Sequence, residues 1–296
     1  MRAPGRRCGP AGECEKGKGM MGSGEFDARG RWPGERGSRG GGLRLGLWWL
    51  TALLLAGGLA APAARAQKPD ADALVRRADH ALRGKTQEGV LTMTVKTPDW
   101  QRTLKMRYWA VNPDKTFIRI TSPAKEAGIG TLRLGTNMWN YLPSVERTIK
   151  IPPSLMLESW MGSDFTNDDL VKESSLVKDY NHRLDGEAEE GGDACYRIVA
   201  TAKPQAAVVW DHLVIYVRKR DALPRREEYY GEKGKLEKVL TFGDIRRAGD
   251  RLYPMRWKMV SVNKPGHETV MVFERLRFDM RIPDSVFTQE NLRQPF

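Results

Sequence analysis

The stretch WMGSDFTNDDL, residues 160–170, gathers Asp164, Asp168 and Asp169 beside a Gly162-Ser163 pair. Carboxylates this close have two chemical uses. They can share a hard divalent cation, which takes oxygen ligands, or divide acid and base roles between them. A third reading needs no ligand. Gly162-Ser163 makes a turn, and Thr166 with Asp169 three residues later forms a capping box. Asp168 and Asp169 then fall in the first turn of a helix, where the backbone dipole favours negative charge. Asp164 is left as a hydrogen-bond anchor for the turn. The last reading accounts for two of the three acids, so no metal is expected here.

The remaining reactive residues are scattered. His80, His182, His212 and His267 include no i, i+4 pair and have no neighbouring cysteine, against a histidine-ligated metal. Gly17-Lys18-Gly19-Met20-Met21-Gly22 fits a dinucleotide-binding pattern but has no strand before it. Gly84-Lys85-Thr86 resembles the end of a phosphate loop, yet Asp79 stands where its first glycine belongs. No serine sits in a G-x-S-x-G elbow, and LDGEAEEGGD reads as a solvated hairpin tip. No acid, base and nucleophile come together. The expectation is a protein without enzymatic activity or cofactor.

These residues depend on elements that begin only after a leader. The first 66 residues hold 16 of the 30 glycines, a basic low-complexity run, and then LGLWWLTALLLAGGLAAPAA ending in Ala64-Arg65-Ala66. A basic segment, an apolar core and an A-x-A end describe a secretory signal peptide, with cleavage expected after Ala66 and export to the periplasm. Residues 67–296 then form a single domain. The leader carries 11 basic and 5 acidic residues of the chain's 49 and 37, which leaves the mature part at +6 rather than +12. That balance makes no case for nucleic acid. Cys195 is the one cysteine beyond the leader, so no internal disulfide forms, and a small buried strand residue is its simplest role.

From Asp70 the spacing is helical: Ala71, Leu74, Val75, Ala78 and Leu82 share a face, with Asp70 as cap and Gly84 as stop. The period then changes to two. GVLTMTVKT, QRTLKMRYWAV, KTFIRITS, GTLRLGT, NMWNYLP and ERTIKIP read as strands at hairpin distances. Residues 154–178 read as short helices crossing a sheet. Strands resume with YNHRLDGEAEE and continue to ETVMVFERLRFD, and a short helix or turn closes the chain at PDSVFTQENL. About a dozen antiparallel strands describe a mainly β (α+β) domain.

Alternation separates the faces. Leu104, Met106 and Tyr108 point one way, Lys105 and Arg107 the other; Leu91 and Met93, Ile118 and Ile120, and Trp257 and Met259 form matching apolar faces. Nine methionines and six tryptophans follow residue 66. Such side chains suit a cavity of adaptable shape, and equally fill an ordinary core.

MWNYLPSVERTIKIP followed by WMGSDFTNDDL resembles the outer-membrane lipoprotein-sorting protein family, the LolA-like proteins. Trp139, Tyr141, Leu142 and Pro143 match its Trp-x-Tyr-Leu-Pro strand, and Gly162, Ser163, Asp164, Phe165, Asp169 and Leu170 its helix start. The C-terminal strands and DSVFTQENL are also similar, so the likeness covers most of residues 70–295. It implies a curved antiparallel half-barrel whose concave apolar face is covered by short helices. In carrier members that cavity holds the acyl chains of a lipoprotein crossing the periplasm. The expected partners are thus lipoprotein or lipid acyl chains, an inner-membrane exporter and an outer-membrane acceptor.

On this basis Leu91, Met93, Leu104, Met106, Tyr108, Ile118, Ile120, Trp139, Tyr141, Met161, Trp257 and Met259 are expected to line or border the cavity. Helices at 154–170 are the candidate lid. Arg102, Arg107 and Arg119 are candidates for lipid headgroups, or simply lie on solvated strand faces. The longer strand-rich layout and the Gly-Ser-Asp signature depart from the carriers and leave the cargo open: lipoprotein, phospholipid or another lipid. The alternative function is an envelope sensor of the same fold that binds lipid or protein and signals to a membrane partner.

Overall fold

The computed structural model describes residues 68–171 and 175–294; the leader and its expected cleavage site lie outside the described residues. Helix α1 spans Ala71–Arg83 and buries Ala71, Leu74, Val75, Ala78 and Leu82, the face its spacing predicts. The Asp70 carboxylate accepts the Asp72 N–H at 3.0 Å, and Gly84 leaves the helix with φ +60°. That left-handed exit suits glycine, which has no Cβ to clash there.

Among the described residues, thirteen strands follow in two meanders. The first comprises β1 (Thr86–Lys96), β2 (Gln101–Val111), β3 (Lys115–Ser122), β4 (Gly130–Leu134), β5 (Asn137–Leu142) and β6 (Arg147–Lys150). The second comprises β7 (Tyr180–Glu190), β8 (Asp193–Ala202), β9 (His212–Arg218), β10 (Pro224–Tyr230), β11 (Leu236–Ala248), β12 (Arg251–Ser261) and β13 (Glu268–Phe278). Antiparallel pairing of β1 with β13 joins them into one sheet, with β6 and β7 at its edges, so the half-barrel stays open.

Pairing register turns the sequence alternation into rows. Ile120, Met106, Leu91 and Phe273 run side by side across β3, β2, β1 and β13. Leu104, Met93, Met271, Trp257 and Phe242 form the next row, out to β11. All of them belong to one apolar cluster on the concave face. Toward the β7 edge, α1 lays Leu74, Val75 and Ala78 on Ile198, Leu213 and Ile215.

A covering segment crosses this face, bonded to β4, β11, β12 and β13. It contains 3-10 turns at Pro153–Leu155 and Trp160–Gly162, then α2 (Asn167–Val171), and α3 (Ser175–Asp179) lies beyond it. Trp160 and Phe165 bury themselves in the concave cluster. The convex face of β3–β5 has a cover of its own. Thr288 caps α4 (Gln289–Arg293) by accepting the Asn291 N–H at 3.0 Å, and Phe287 and Leu292 pack on Phe117 and Leu132. Gly130 makes room for this, since a Cβ there would stand 2.7 Å from Leu292 Cδ1.

Gly89 plays the same part under the cavity. A Cβ on it would meet Tyr108 Cε1 at 2.5 Å and the Arg275 carbonyl oxygen at 2.9 Å. The carbonyl belongs to the paired strand and cannot swing aside. Gly89→Ala is therefore expected to destabilise the fold by ~1–3 kcal/mol through overpacking, read as a lowered denaturation midpoint.

Candidate functional site

Between α1, the covering segment and the concave face lies a cavity of about 220 Å³ accessible to water-sized molecules. Val75, Ala78 and Leu82 of α1 form one wall, and Trp160, Phe165 and Leu170 another. The floor is Leu91, Met106, Tyr108 and Ile118 of β1–β3 with Leu240, Phe242, Trp257, Met259, Met271 and Phe273 of β11–β13. Rings of Phe242, Trp257, Phe273 and Tyr253 meet there, Trp257 lying 5.1 Å from Phe242 and 5.3 Å from Phe273, both edge-on. The aromatic patch supplies a rigid wall, and the three methionines beside it supply adaptable shape.

Of the residues expected at a cavity, Leu91, Met106, Tyr108, Ile118, Trp257 and Met259 line it. Met93, Leu104 and Ile120 are sealed in the cluster next to it, and Met161 packs on that cluster half-buried. Trp139 and Tyr141 need a correction. They pack with Phe117 and Leu132 on the convex side, whereas their neighbour Met138 joins the concave cluster. Pairing decides this: Trp139 sits opposite Leu132, which sits opposite Phe117.

The WMGSDFTNDDL stretch works as a staple. Met161 and Gly162 take left-handed φ values of 50° and 69°, and the Ser163 hydroxyl donates to the Trp160 carbonyl at 2.7 Å. The turn aims Asp164 into the sheet, where its carboxylate accepts the Ser261 hydroxyl of β12 and the Thr269 hydroxyl of β13, each at 2.7 Å. Its own N–H donates back to Thr269 Oγ1 at 2.8 Å. Trp160, only 1% exposed, donates its indole N–H to Thr131 Oγ1 of β4 at 3.2 Å.

Downstream the capping box is reciprocal. Asp169 N–H donates to Thr166 Oγ1 at 3.1 Å, and Thr166 N–H to Asp169 Oδ2 at 2.8 Å. Lys238 then pairs with Asp169 at 3.1 Å, tying α2 to β11. The Asp164 and Asp169 carboxylates thus bind the cover to the sheet. The segment expected as a lid is fixed at both its Gly-Ser-Asp turn and its helix start.

Other expected residues have structural tasks. Arg119 is buried, and its guanidinium donates to the Gln294, Asn291 and Leu292 carbonyls at 2.6, 2.7 and 3.2 Å, so it does not reach toward a headgroup. Arg102 donates to the Met161 carbonyl and to Glu126. Arg107 lies over the Trp109 ring, 4.8 Å from its centre. His182 binds Asp72 of α1 at 2.5 Å, holding the helix to β7. Cys195 is buried, and that burial pushes its thiol above the usual range, away from reactivity.

Sequence reasoning missed Glu227 and Tyr229 of β10 and Trp210 before β9, all of which line the cavity. The signal for the first two was present in RREEYYGE, where Glu227 and Tyr229 alternate onto one face.

The model of a family described as "Uncharacterized protein" matches residues 112–294. Among solved structures, a DUF1329 family protein from Desulfovibrio piger superposes with a TM-score of 0.69 at 24% identity, over 75% of this chain and 97% of that one. A putative outer membrane lipoprotein-sorting protein domain from Vibrio parahaemolyticus gives 0.66 at 20% identity, over 76% and 98%. A LolA superfamily protein from Nitrosomonas europaea gives 0.63 at 20% identity, over 75% and 99%. No curated protein matches. The chain belongs to the family that the matching model describes, and its half-barrel is the LolA-like fold of the outer-membrane lipoprotein-sorting proteins.

Proposed function

We propose that this protein is a periplasmic carrier that shields lipid or lipoprotein acyl chains in its concave cavity on the way to the outer membrane. The observation that carries the reading is the apolar space left between α1, the cover and the sheet. A core that served stability alone would close on itself, because unfilled volume forfeits dispersion contacts. Each methylene that a chain buries there stabilises the complex by ~0.8 kcal/mol. The aromatic wall and the methionines fit a flexible chain of variable shape better than a single rigid ligand. The basic and apolar leader supports export, and among the described residues no helix is long and apolar enough to cross a membrane. The cargo travels without a catalytic step, handed over from an inner-membrane exporter.

Native mass spectrometry with lipid extraction tests this on protein purified from its own periplasm. Co-purified acyl species are expected on the wild-type chain. In Trp257→Asp, whose new carboxylate projects into the apolar space, they are expected to disappear while cooperative unfolding persists. A bare mass together with no uptake of added lipid or lipopeptide would sink the carrier reading and redirect the search to a protein partner, as for a sensor.

A further inference from the structure

One row of the concave face breaks the apolar rule. Ile198, Ile215, Glu227, Leu240 and Met259 stand side by side across β8 to β12. The only ionisable member of the row is Glu227 of β10, toward the β7 edge, 9% exposed and lining the cavity. A carboxylate in so dry a site costs desolvation that an aliphatic side chain of similar volume does not.

Among the polar groups that face the same space, three bear on Glu227. The Tyr229 hydroxyl donates to Glu227 Oε2 at 2.6 Å. Across the cavity, Arg83 of α1 donates its Nε–H to Asp79 at 2.6 Å, and both side chains line the cavity. Burial pushes the Glu227 carboxyl above the usual carboxylate range, with Arg83 pulling it down and Asp79 pushing it up. Burial also lifts the Tyr229 hydroxyl, which therefore keeps its proton. With that proton committed to Glu227, the spot offers oxygen lone pairs. A second acid, Asp79, stands near.

We propose that Glu227 and Tyr229 form a polar pole inside the hydrocarbon cavity, which binds the inward end of an amphiphile through a hydrogen-bond donor carrying no negative charge. A hydroxyl or a primary ammonium satisfies it, whereas a carboxylate or phosphate meets the lone pairs of Glu227 and Asp79, with the Arg83 guanidinium already paired to Asp79. The inference rests on the carrier reading and deepens it. The cargo has a donor group that travels inside, besides any headgroup left at the mouth. A buried site built to hydrogen-bond a ligand group discriminates strongly against molecules that leave it unpaired.

The test titrates the leader-free chain with dodecanol, dodecylamine and dodecanoate at neutral pH, following the fluorescence of Trp160, Trp210 and Trp257, which line the cavity. The alcohol and the amine are expected to bind about tenfold more tightly than the carboxylate. In Glu227→Leu the preference over the carboxylate is expected to fall well below tenfold, with Asp79 alone left to oppose the anion. Glu227→Gln gives a second route should the leucine variant fold poorly. Its amide N–H can meet a carboxylate, so the ranking is expected to narrow there too. Equal binding by the wild-type chain, or a ranking unchanged in the variants, would overturn this inference and leave the carrier reading standing. A lowered melting temperature with unchanged ranking would mean that Glu227 only helps to seat α1, and would also overturn it. If none of the three binds, both readings fall.

Discussion

Asp164→Ala is expected to cost about 3 kcal/mol of stability and to loosen the cover over the cavity. The carboxylate accepts two hydroxyl hydrogen bonds at 2.7 Å from Ser261 and Thr269, on adjacent strands of the sheet. All three residues are buried, Thr269 completely. Hydrogen bonds to a charged acceptor contribute ~1.5–3 kcal/mol each, and removing the acceptor strands the donors in a dry site. Some of that loss is recovered because a hydroxyl can rotate to another acceptor, which sets the estimate near the lower end of the sum. For a chain of this size the melting temperature should fall by about 6–12 °C. Asp164→Asn keeps one acceptor oxygen and should lose about half as much. Limited proteolysis supplies the local readout: cleavage within residues 154–170 should accelerate in Asp164→Ala far more than cleavage in the strands. An unchanged melting temperature would show that Trp160 and Phe165 hold the cover by apolar contact alone.

Much of this architecture was legible in the sequence, for reasons that also explain what was not. β2 carries Leu104, Met106 and Tyr108 against Arg107 and Lys105, and with one face apolar and the other charged the alternation has a single solution. The helix of α1 was legible from its stripe and both its ends. β5 was ambiguous because both of its faces are covered. Met138 faces the cavity side, and Trp139 and Tyr141 face α4, so the apolar residues no longer say which side is concave. The cover on the second face comes from residues 282–292, some 150 positions away, and no local pattern reports it. Asp164 was expected as an anchor for its turn, since the capping box had already absorbed Asp169, and its partners on β12 and β13 needed the fold. Glu227 stayed hidden for the opposite reason. Alternation in RREEYYGE sets Glu227 beside Tyr229, yet a carboxylate flanked by Arg226 and Glu228 reads as solvated until register against Ile215 and Leu240 puts it indoors.

The same double covering makes Arg119 the position where one side chain decides whether the C-terminal segment stays on the sheet. α4 is a single short helix of residues 289–293, too short to persist alone, because isolated helices of that length do not offset the cost of nucleation. Of its last carbonyls, that of Asn291 accepts the Gln294 N–H at 3.2 Å, and an end this short leaves the later ones to be met from outside the helix. Arg119 reaches them from β3, donating to the Asn291, Leu292 and Gln294 oxygens, with its positive charge at the negative end of the helix. The guanidinium also lies 5.1 Å from the centre of the Phe117 ring. Burial lowers its proton affinity somewhat, yet an arginine starts so high that it remains charged. Arg119→Met keeps the apolar stem and removes every donor, leaving carbonyls unsatisfied beneath the segment. The expected cost is about 2–4 kcal/mol, read as a lower denaturation midpoint with faster proteolysis after residue 282. Arg119→Lys is the control that separates charge from geometry. An ammonium keeps the favourable end-of-helix charge but cannot present the planar fork that serves three carbonyls, so it should recover less than half of the loss. Full recovery by lysine would place the effect in charge alone. No loss in the methionine variant would mean that Phe287 and Leu292, packed on Phe117 and Leu132, suffice to hold the segment.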